Sequence, residues 1–233
     1  MTGLNAVEAI RRALADVADP ARAPAMQAYM KSAMPYRGVA APLVRSLCKA
    51  AFADLHYPDA AAWRTDVLAL WHDAAFREER YAAIALTGHR AARSFQRIAA
   101  LPLYEDLIVT GAWWDYIDTI AARRLWPLLQ ADRAAMRPAM LDWSDSDDLW
   151  KRRSAILCQL PAKAATDPDL LYRCIEPSLD ARDFFLRKGI GWALRQYART
   201  DPDEVRRYVA AHADRLSPLS RREALKHIGQ DSG

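Results

Sequence analysis

Thr166-Asp167-Pro168-Asp169 recurs 34 residues later as Thr200-Asp201-Pro202-Asp203. Each copy reads as a helix start: a polar cap, a proline in the first turn and a carboxylate near the positive end. A helix-pair spacing in the thirties or forties is the signature of HEAT- or TPR-like arrays, which stack into a curved body with a concave face. Working outward, Pro20, Pro24, Pro42, Pro58, Pro102 and Pro218 also sit near the starts of helix-like segments. The pattern predicts helices near 4–17, 23–34, 41–54, 59–73, 77–90, 92–110, 114–129, 132–142, 147–160, 167–175, 183–199, 203–213 and 218–228. Only 8 glycines occur in 233 residues, against about 16 at an average usage of ~7%. Alternating Val, Ile and Thr runs joined by Asn-Gly-type turns are missing. The expected fold is all-α, a helical-repeat solenoid of the HEAT or TPR kind. No Gly-, Ser- or Pro-rich linker divides the chain, so residues 1–233 are expected to form a single domain.

With 52% hydrophobic and 27% charged residues, the chain has ample apolar surface to offset its entropy, which excludes disorder for most of it. Cys48, Cys158 and Cys174 are odd in number and widely spaced, without C-x-x-C, which argues against a disulfide framework or a cysteine zinc site. They read as small buried thiols in a reducing compartment. Met1 to Glu8 lacks a basic start followed by an apolar core, so no signal peptide is expected. No apolar run approaches the ~18–20 residues of a membrane span, and a cytoplasmic protein is expected. The net charge of +4 permits a polyanionic partner without establishing one. Common phosphate-loop, dinucleotide, nucleophile-elbow and zinc-protease motifs are all missing. His56, His72, His89, His212 and His227 are scattered, so metal catalysis has no support in the sequence.

Three stretches concentrate chemistry. In Trp113-Trp114-Asp115-Tyr116-Ile117-Asp118, helical spacing puts Trp113, Ile117, Ile120, Ala121 and Leu125 on a core-facing arc. Trp114 and Asp118 stand one turn apart at its edge. A partly desolvated carboxylate beside an indole face attracts a cation; alternatively, this is a core tryptophan beside a carboxylate paired with a structural arginine. Arg153 falls among Leu149, Ile156, Leu157 and Leu160 and needs a partner there, either an internal carboxylate or an external phosphate. In Phe184 to Arg199, the residues Lys188, Trp192, Arg195 and Arg199 form a stripe beside a buried face. That stripe fits a phosphate-and-sugar surface or, equally, a solvated basic face. Gly189 and Gly191, each costing about 1 kcal/mol inside a helix, point to close approach of another helix or of a ligand backbone.

These stretches also carry a resemblance. Tyr29-Met30-Lys31 with Gly38-Val39 and Pro42, then Leu107-Ile108-Val109-Thr110 leading into Trp113-Trp114-Asp115-Tyr116-Ile117-Asp118, come first. Arg153-x-Ala155-Ile156, then Phe184-Phe185-x-x-Lys188-x-Ile190-Gly191-Trp192-x-Leu194-Arg195 and Leu219-Ser220-Arg221-Arg222-Glu223-Ala224 follow in order. Together they resemble the AlkD-type bacterial DNA alkylation repair glycosylases, which are HEAT-like repeat proteins. The resemblance spans nearly the whole chain; its most specific parts are W-W-D-x-x-D and I-G-W-x-L-R.

The resemblance implies a concave DNA-binding face and Asp118 as the catalytic carboxylate. Trp114 and Trp192 would flank the lesion's deoxyribose, and Arg153 would contact the DNA backbone beside it. Tyr29 and Lys31 match a segment that faces DNA, and the basic stripe adds Lys188 and Arg195 as DNA-binding candidates. The implied substrate is duplex DNA bearing N3- or N7-alkylated purines, excised without a base-flipping pocket, metal or cofactor, by a monomer whose binding face stays open. The family's glutamine two residues past the glycine is Ala40 here, and Gly111-Ala112 replaces a more polar pair, departures that bear on DNA contacts and lesion preference. Two other readings stand beside this one: a glycosylase specialised for bulky alkyl adducts, with Ala40, Gly111 and Ala112 opening space, and a non-catalytic HEAT-like scaffold that binds DNA or protein. A carboxylate facing a polyanion favours the enzyme, because a binding module gains nothing from it.

Overall fold

The computed structural model describes residues 6–228. Among them lie fourteen α-helices, four 3-10 turns, one π segment and no strand, so the all-helical expectation is met. No helix of the described residues is long and apolar enough to cross a membrane. The chain forms two compact units, one through Gln96 and one from Arg97 onward.

The first unit contains α1 (Ala6–Asp16), α2 (Ala23–Met30), α3 (Ala41–Ala51), α4 (Ala60–His72) and α5 (Arg77–Thr87). Val7, Ile10 and Leu14 recur at helical spacing and bury one face of α1, joining Val67, Leu70 and Trp71 of α4 and Leu86 of α5 in the unit's core. Polar staples secure the segment between α2 and α3. Glu78 is fully buried and accepts the backbone N–H groups of Arg37 and Val39. Glu79 pairs with Arg11 at 3.0 Å and Arg37 at 3.2 Å.

The second unit contains α6 (Leu101–Gly111), α7 (Trp114–Ile120), α8 (Trp126–Ala131), α9 (Arg133–Ser144) and α10 (Leu149–Leu157). It continues with α11 (Pro168–Ile175), α12 (Phe184–Tyr197), α13 (Pro202–Ala211) and α14 (Pro218–Ala224). The repeated Thr-Asp-Pro-Asp segments are helix starts. Asp167 accepts from the Leu170 amide and Asp201 from the Glu204 amide, with a proline in each first turn. Helices pack against near neighbours in chain order, α9 on α10 and α11, α10 on α12, and α12 on α14, the local pattern of a helical repeat.

Two predicted helices are interrupted. The segment expected at 92–110 begins as 3-10 turns at Arg90–Phe95 and Ile98–Ala100, and becomes α-helical only where Pro102 enters a first turn. The Gln96 side chain caps the first break by donating to the Thr87 carbonyl at 2.6 Å. The segment expected at 114–129 widens to a π turn at Ala121–Leu125, between α7 and α8. Pro127 is the physical reason: it has no N–H for the Arg123 carbonyl, and its ring crowds that carbonyl. A π turn relieves the crowding, and the Arg124 guanidinium donates to the Arg123 carbonyl at 2.7 Å.

Candidate active site

The site is assembled where α7, α10 and α12 of the second unit meet. Their starting points are set locally. Ala112 adopts a left-handed conformation, φ 43°, which ends α6, and Trp113 is extended, so that α7 begins at Trp114. Asp148 caps α10 by accepting from the Trp150 and Lys151 amides. Asp183 caps α12 by accepting from the Phe185 and Leu186 amides. Three helix starts are therefore fixed by short-range chemistry, and the side chains one turn later are aimed accordingly.

Ile117, Ile120, Ala121 and Leu125 are fully buried, as the core arc requires. Trp113 departs from that arc because it precedes the helix. Its ring packs instead against Phe185, centroids 5.6 Å apart, and Trp150, 6.3 Å apart. Trp150 and Phe185 close the cluster at 5.0 Å. Tyr116, which the sequence pattern did not single out, is fully buried. Trp114 and Trp192 are half-buried.

Asp118 and Arg153, 35 positions apart in sequence, form a two-pronged ion pair. Arg153 Nε donates to Asp118 Oδ1 at 2.8 Å and Nη2 donates to Oδ2 at 2.9 Å. The remaining guanidinium nitrogen, Nη1, donates to the Phe185 carbonyl oxygen of α12. The Arg153 side chain is 3% exposed and that of Asp118 12%. Of the two partners read for Arg153 in the sequence, the structure supplies the internal carboxylate. Burial raises the Asp118 carboxyl above its ordinary range; the hydrogen bond and charge of Arg153 oppose that rise, and the nearby Asp115 charge adds to it. An ionised carboxylate offers about four lone-pair directions, and the guanidinium occupies two.

The basic stripe of α12 is tied down by a residue on α14. Lys188 Nζ and Arg195 Nη1 each lie 2.7 Å from the Glu223 carboxylate. These two cations hold the Glu223 carboxyl below its ordinary range, Lys188 most of all. Gly191 explains how the helices come so close, since a Cβ there would lie 2.5 Å from Glu223 Cβ and 2.9 Å from the Ser220 carbonyl oxygen. The close approach of a helix expected from this glycine is thus present. Glu223 was not assigned a role from the sequence; its signal was a lone carboxylate in an Arg-rich helix start. The Phe185 carbonyl had no direct signal at all, because backbone acceptors inside helices are normally spoken for.

In the first unit, Tyr29 is 80% exposed on α2, and Lys31, also exposed, ends that helix in a left-handed conformation, φ 49°. Ala40 is the extended residue before α3 and supplies no side-chain cap. Cys48, Cys158 and Cys174 are buried free thiols, and burial raises all three pKa values, Cys48 and Cys174 to about 12. Among the described residues, no group of three or more His, Cys, Asp or Glu side chains is placed to hold a metal ion.

The sequence profile of the family described as "DNA alkylation repair enzyme" matches residues 10–228. A solved structure described as "Predicted DNA alkylation repair enzyme from Enterococcus faecalis" superposes with a TM-score of 0.81 at 28% sequence identity. The match covers 91% of this chain and 97% of that one. No curated protein matches the sequence.

Proposed function

Since this chain belongs to the DNA alkylation repair enzyme family, we propose that it is a monofunctional DNA glycosylase, which releases cationic N3- or N7-alkylated purines from duplex DNA. The observation that carries this reading is Asp118: a largely buried carboxylate, gripped on one side by Arg153, with lone-pair directions to spare. A carboxylate held this way does little for stability that an apolar residue would not do as well. It suits a site where positive charge develops.

The chemistry follows from the substrate. Alkylation at N3 or N7 makes the purine cationic. The C1′–N bond then breaks with its electron pair leaving on the base, which becomes neutral. The sugar left behind is oxocarbenium-like. Asp118 stabilises that cation electrostatically in a site of low dielectric. The indole faces of Trp114 and Trp192 add cation–π attraction. Water adds to C1′, and its proton passes to the carboxylate or to solvent, leaving an abasic site and a free base. The leaving group is already activated, so the step as written needs no metal or cofactor.

Arg153 is the positioning group in this scheme, holding Asp118 ionised and oriented. Lys188 and Arg195 are proposed to exchange Glu223 for DNA phosphates, and the exposed Tyr29 and Lys31 to contact the duplex through the first unit. The protein is proposed to act as a monomer. A second reading is a glycosylase specialised for bulky cationic adducts, suggested by the small residues Gly111 and Ala112 just ahead of Trp114.

The test is release of free base from N-methylated duplex DNA by the wild-type protein and by Asp118→Asn. Release by the wild type alone is expected. Release by neither, with a bulky cationic adduct excised instead, restricts the substrate class. Equal release by both removes Asp118 from the mechanism, and DNA binding without release of any adduct leaves a scaffold.

A further inference from the structure

We infer that Gly189 is a positioning residue: by lacking a side chain it admits Arg153 to the backbone of α12, and through Arg153 it sets the orientation and proton affinity of Asp118. The catalytic consequence rests on the proposed glycosylase reading; the structural coupling does not.

Three observations meet at this point. A Cβ placed on Gly189 would lie 3.1 Å from Arg153 Nη1, 3.8 Å from Cγ and 3.9 Å from Cζ, so the guanidinium occupies the space a side chain would take. The same Nη1 donates to the Phe185 carbonyl oxygen. Phe185 and Gly189 are four residues apart in α12. In an α-helix the carbonyl of residue i receives the amide of residue i+4, so the Phe185 oxygen serves the Gly189 amide with one lone pair and Arg153 with the other.

Ordinarily the side chain at i+4 helps to shield that second lone pair from a lateral donor. At position 189 the shield is missing, and α12 becomes a third anchor for the guanidinium, beside the two Asp118 oxygens. With Nη1 on the helix backbone and Nε and Nη2 on the carboxylate, the planar fork is held at three points. The helix penalty of a glycine is accepted at a position where Ala would press on the charged group. Gly191, two residues on, meets α14 instead. The two glycines therefore serve different partners, one a helix and one the Arg153 guanidinium.

The coupling is read without reference to activity by titrating the Asp118 carboxyl through its Cγ chemical shift. In Gly189→Ala the Arg153 fork is displaced by a few tenths of an ångström. Its opposition to burial weakens, and the Asp118 midpoint is expected to move to higher pH. In single-turnover excision, Gly189→Ala is expected to be about tenfold slower, with its acid limb displaced in the same direction. Arg153→Lys supplies the second arm. Lysine leaves the space beside position 189, so Gly189→Ala is expected to add little in that background.

An unchanged Asp118 titration in Gly189→Ala overturns the proposal, whatever the rate does. An equal effect of Gly189→Ala in the Arg153→Lys background overturns it as well, because the alanine then acts through something other than the guanidinium. A displaced titration in a protein that releases no base upholds the coupling and defeats only the glycosylase reading.

Discussion

Two buried carboxylate sites, one in each unit, are built from the same ingredients and come out differently. In the first unit, Glu78 is completely enclosed and accepts two backbone amides, those of Arg37 and Val39. Its neighbour Glu79 is shared between two arginines. In the second unit, Asp118 meets one arginine, keeps 12% of its side chain exposed and retains acceptor capacity. A carboxylate sealed from solvent and bound to backbone amides holds a chain segment in place. A carboxylate gripped by an arginine and still partly open can apply its charge to something else. The lesson is that the number of hydrogen bonds does not separate the two, since each carboxylate accepts two N–H groups; access does, because Glu78 is sealed while part of Asp118 stays open.

The sharpest way to break this comparison is to neutralise each carboxylate in turn. Asp118→Asn is expected to slow base release by about 10²–10³-fold, the scale of losing a preorganised electrostatic stabiliser, while binding of methylated duplex persists in a mobility-shift assay. Glu78→Ala is expected to do the opposite. It strands buried amides and destabilises the protein by about 3 kcal/mol in urea unfolding, with the excision rate of the folded fraction unchanged. If Glu78→Ala slowed chemistry as severely as Asp118→Asn, the contrast between a structural carboxylate and the proposed catalytic one would collapse.

Truncating the aromatic partners sharpens the second half of the comparison. Trp114→Ala and Trp192→Ala are each expected to slow excision about tenfold at saturating protein, in keeping with a desolvated cation–π contribution. A change confined to affinity would assign the two indoles to binding rather than to the developing cation.

The pH dependence tests the same carboxylate without a mutation. Burial raises the Asp118 carboxyl, so the ionised form is lost as pH falls at values above the ordinary carboxylate pKa of about 4. Excision is expected to decline on the acid side with a midpoint above that value. The Asp118→Asn protein should show no such limb. Glu223 runs the other way. Its folded-state carboxyl is lowered, so its contribution to stability is present above the unfolded-state pKa and disappears as pH falls through the folded one.

The smallest expected effect concerns that residue. Glu223→Gln releases Lys188 and Arg195 from their internal partner, and DNA affinity should rise modestly, with a steeper dependence on salt by about one to two charges. Weaker binding would mean that Glu223 orients the two cations instead of competing for them.

Much of this architecture is legible in the chain itself, because it depends on neighbours a few residues apart. Proline in a first turn, an aspartate one residue ahead of it and apolar residues at helical spacing identified most helix starts, including the paired caps at Asp167 and Asp201. The juxtaposition of Trp114 and Asp118 is a matter of one helical turn. The π turn was not legible as such, although Pro127 was the sign of it. Arg153 was recognisably a charge in need of a partner, but helical periodicity does not say which one.

That choice belongs to the tertiary structure. Asp118 and Arg153 meet across 35 residues, and Lys188 and Arg195 reach Glu223 across 35 and 28. The sequence alone determined which segments are helical, which face of each is apolar and which polar groups stand at the margins, since those follow from backbone geometry and local capping. Only the packing of α7, α10, α12 and α14 decided which charges neutralise one another and which carboxylate stays partly open. The reason is physical: hydrogen bonds form at about 3 Å with tight angular demands, and distances that short between remote residues are set by how close two helices can approach, here by the glycines of α12.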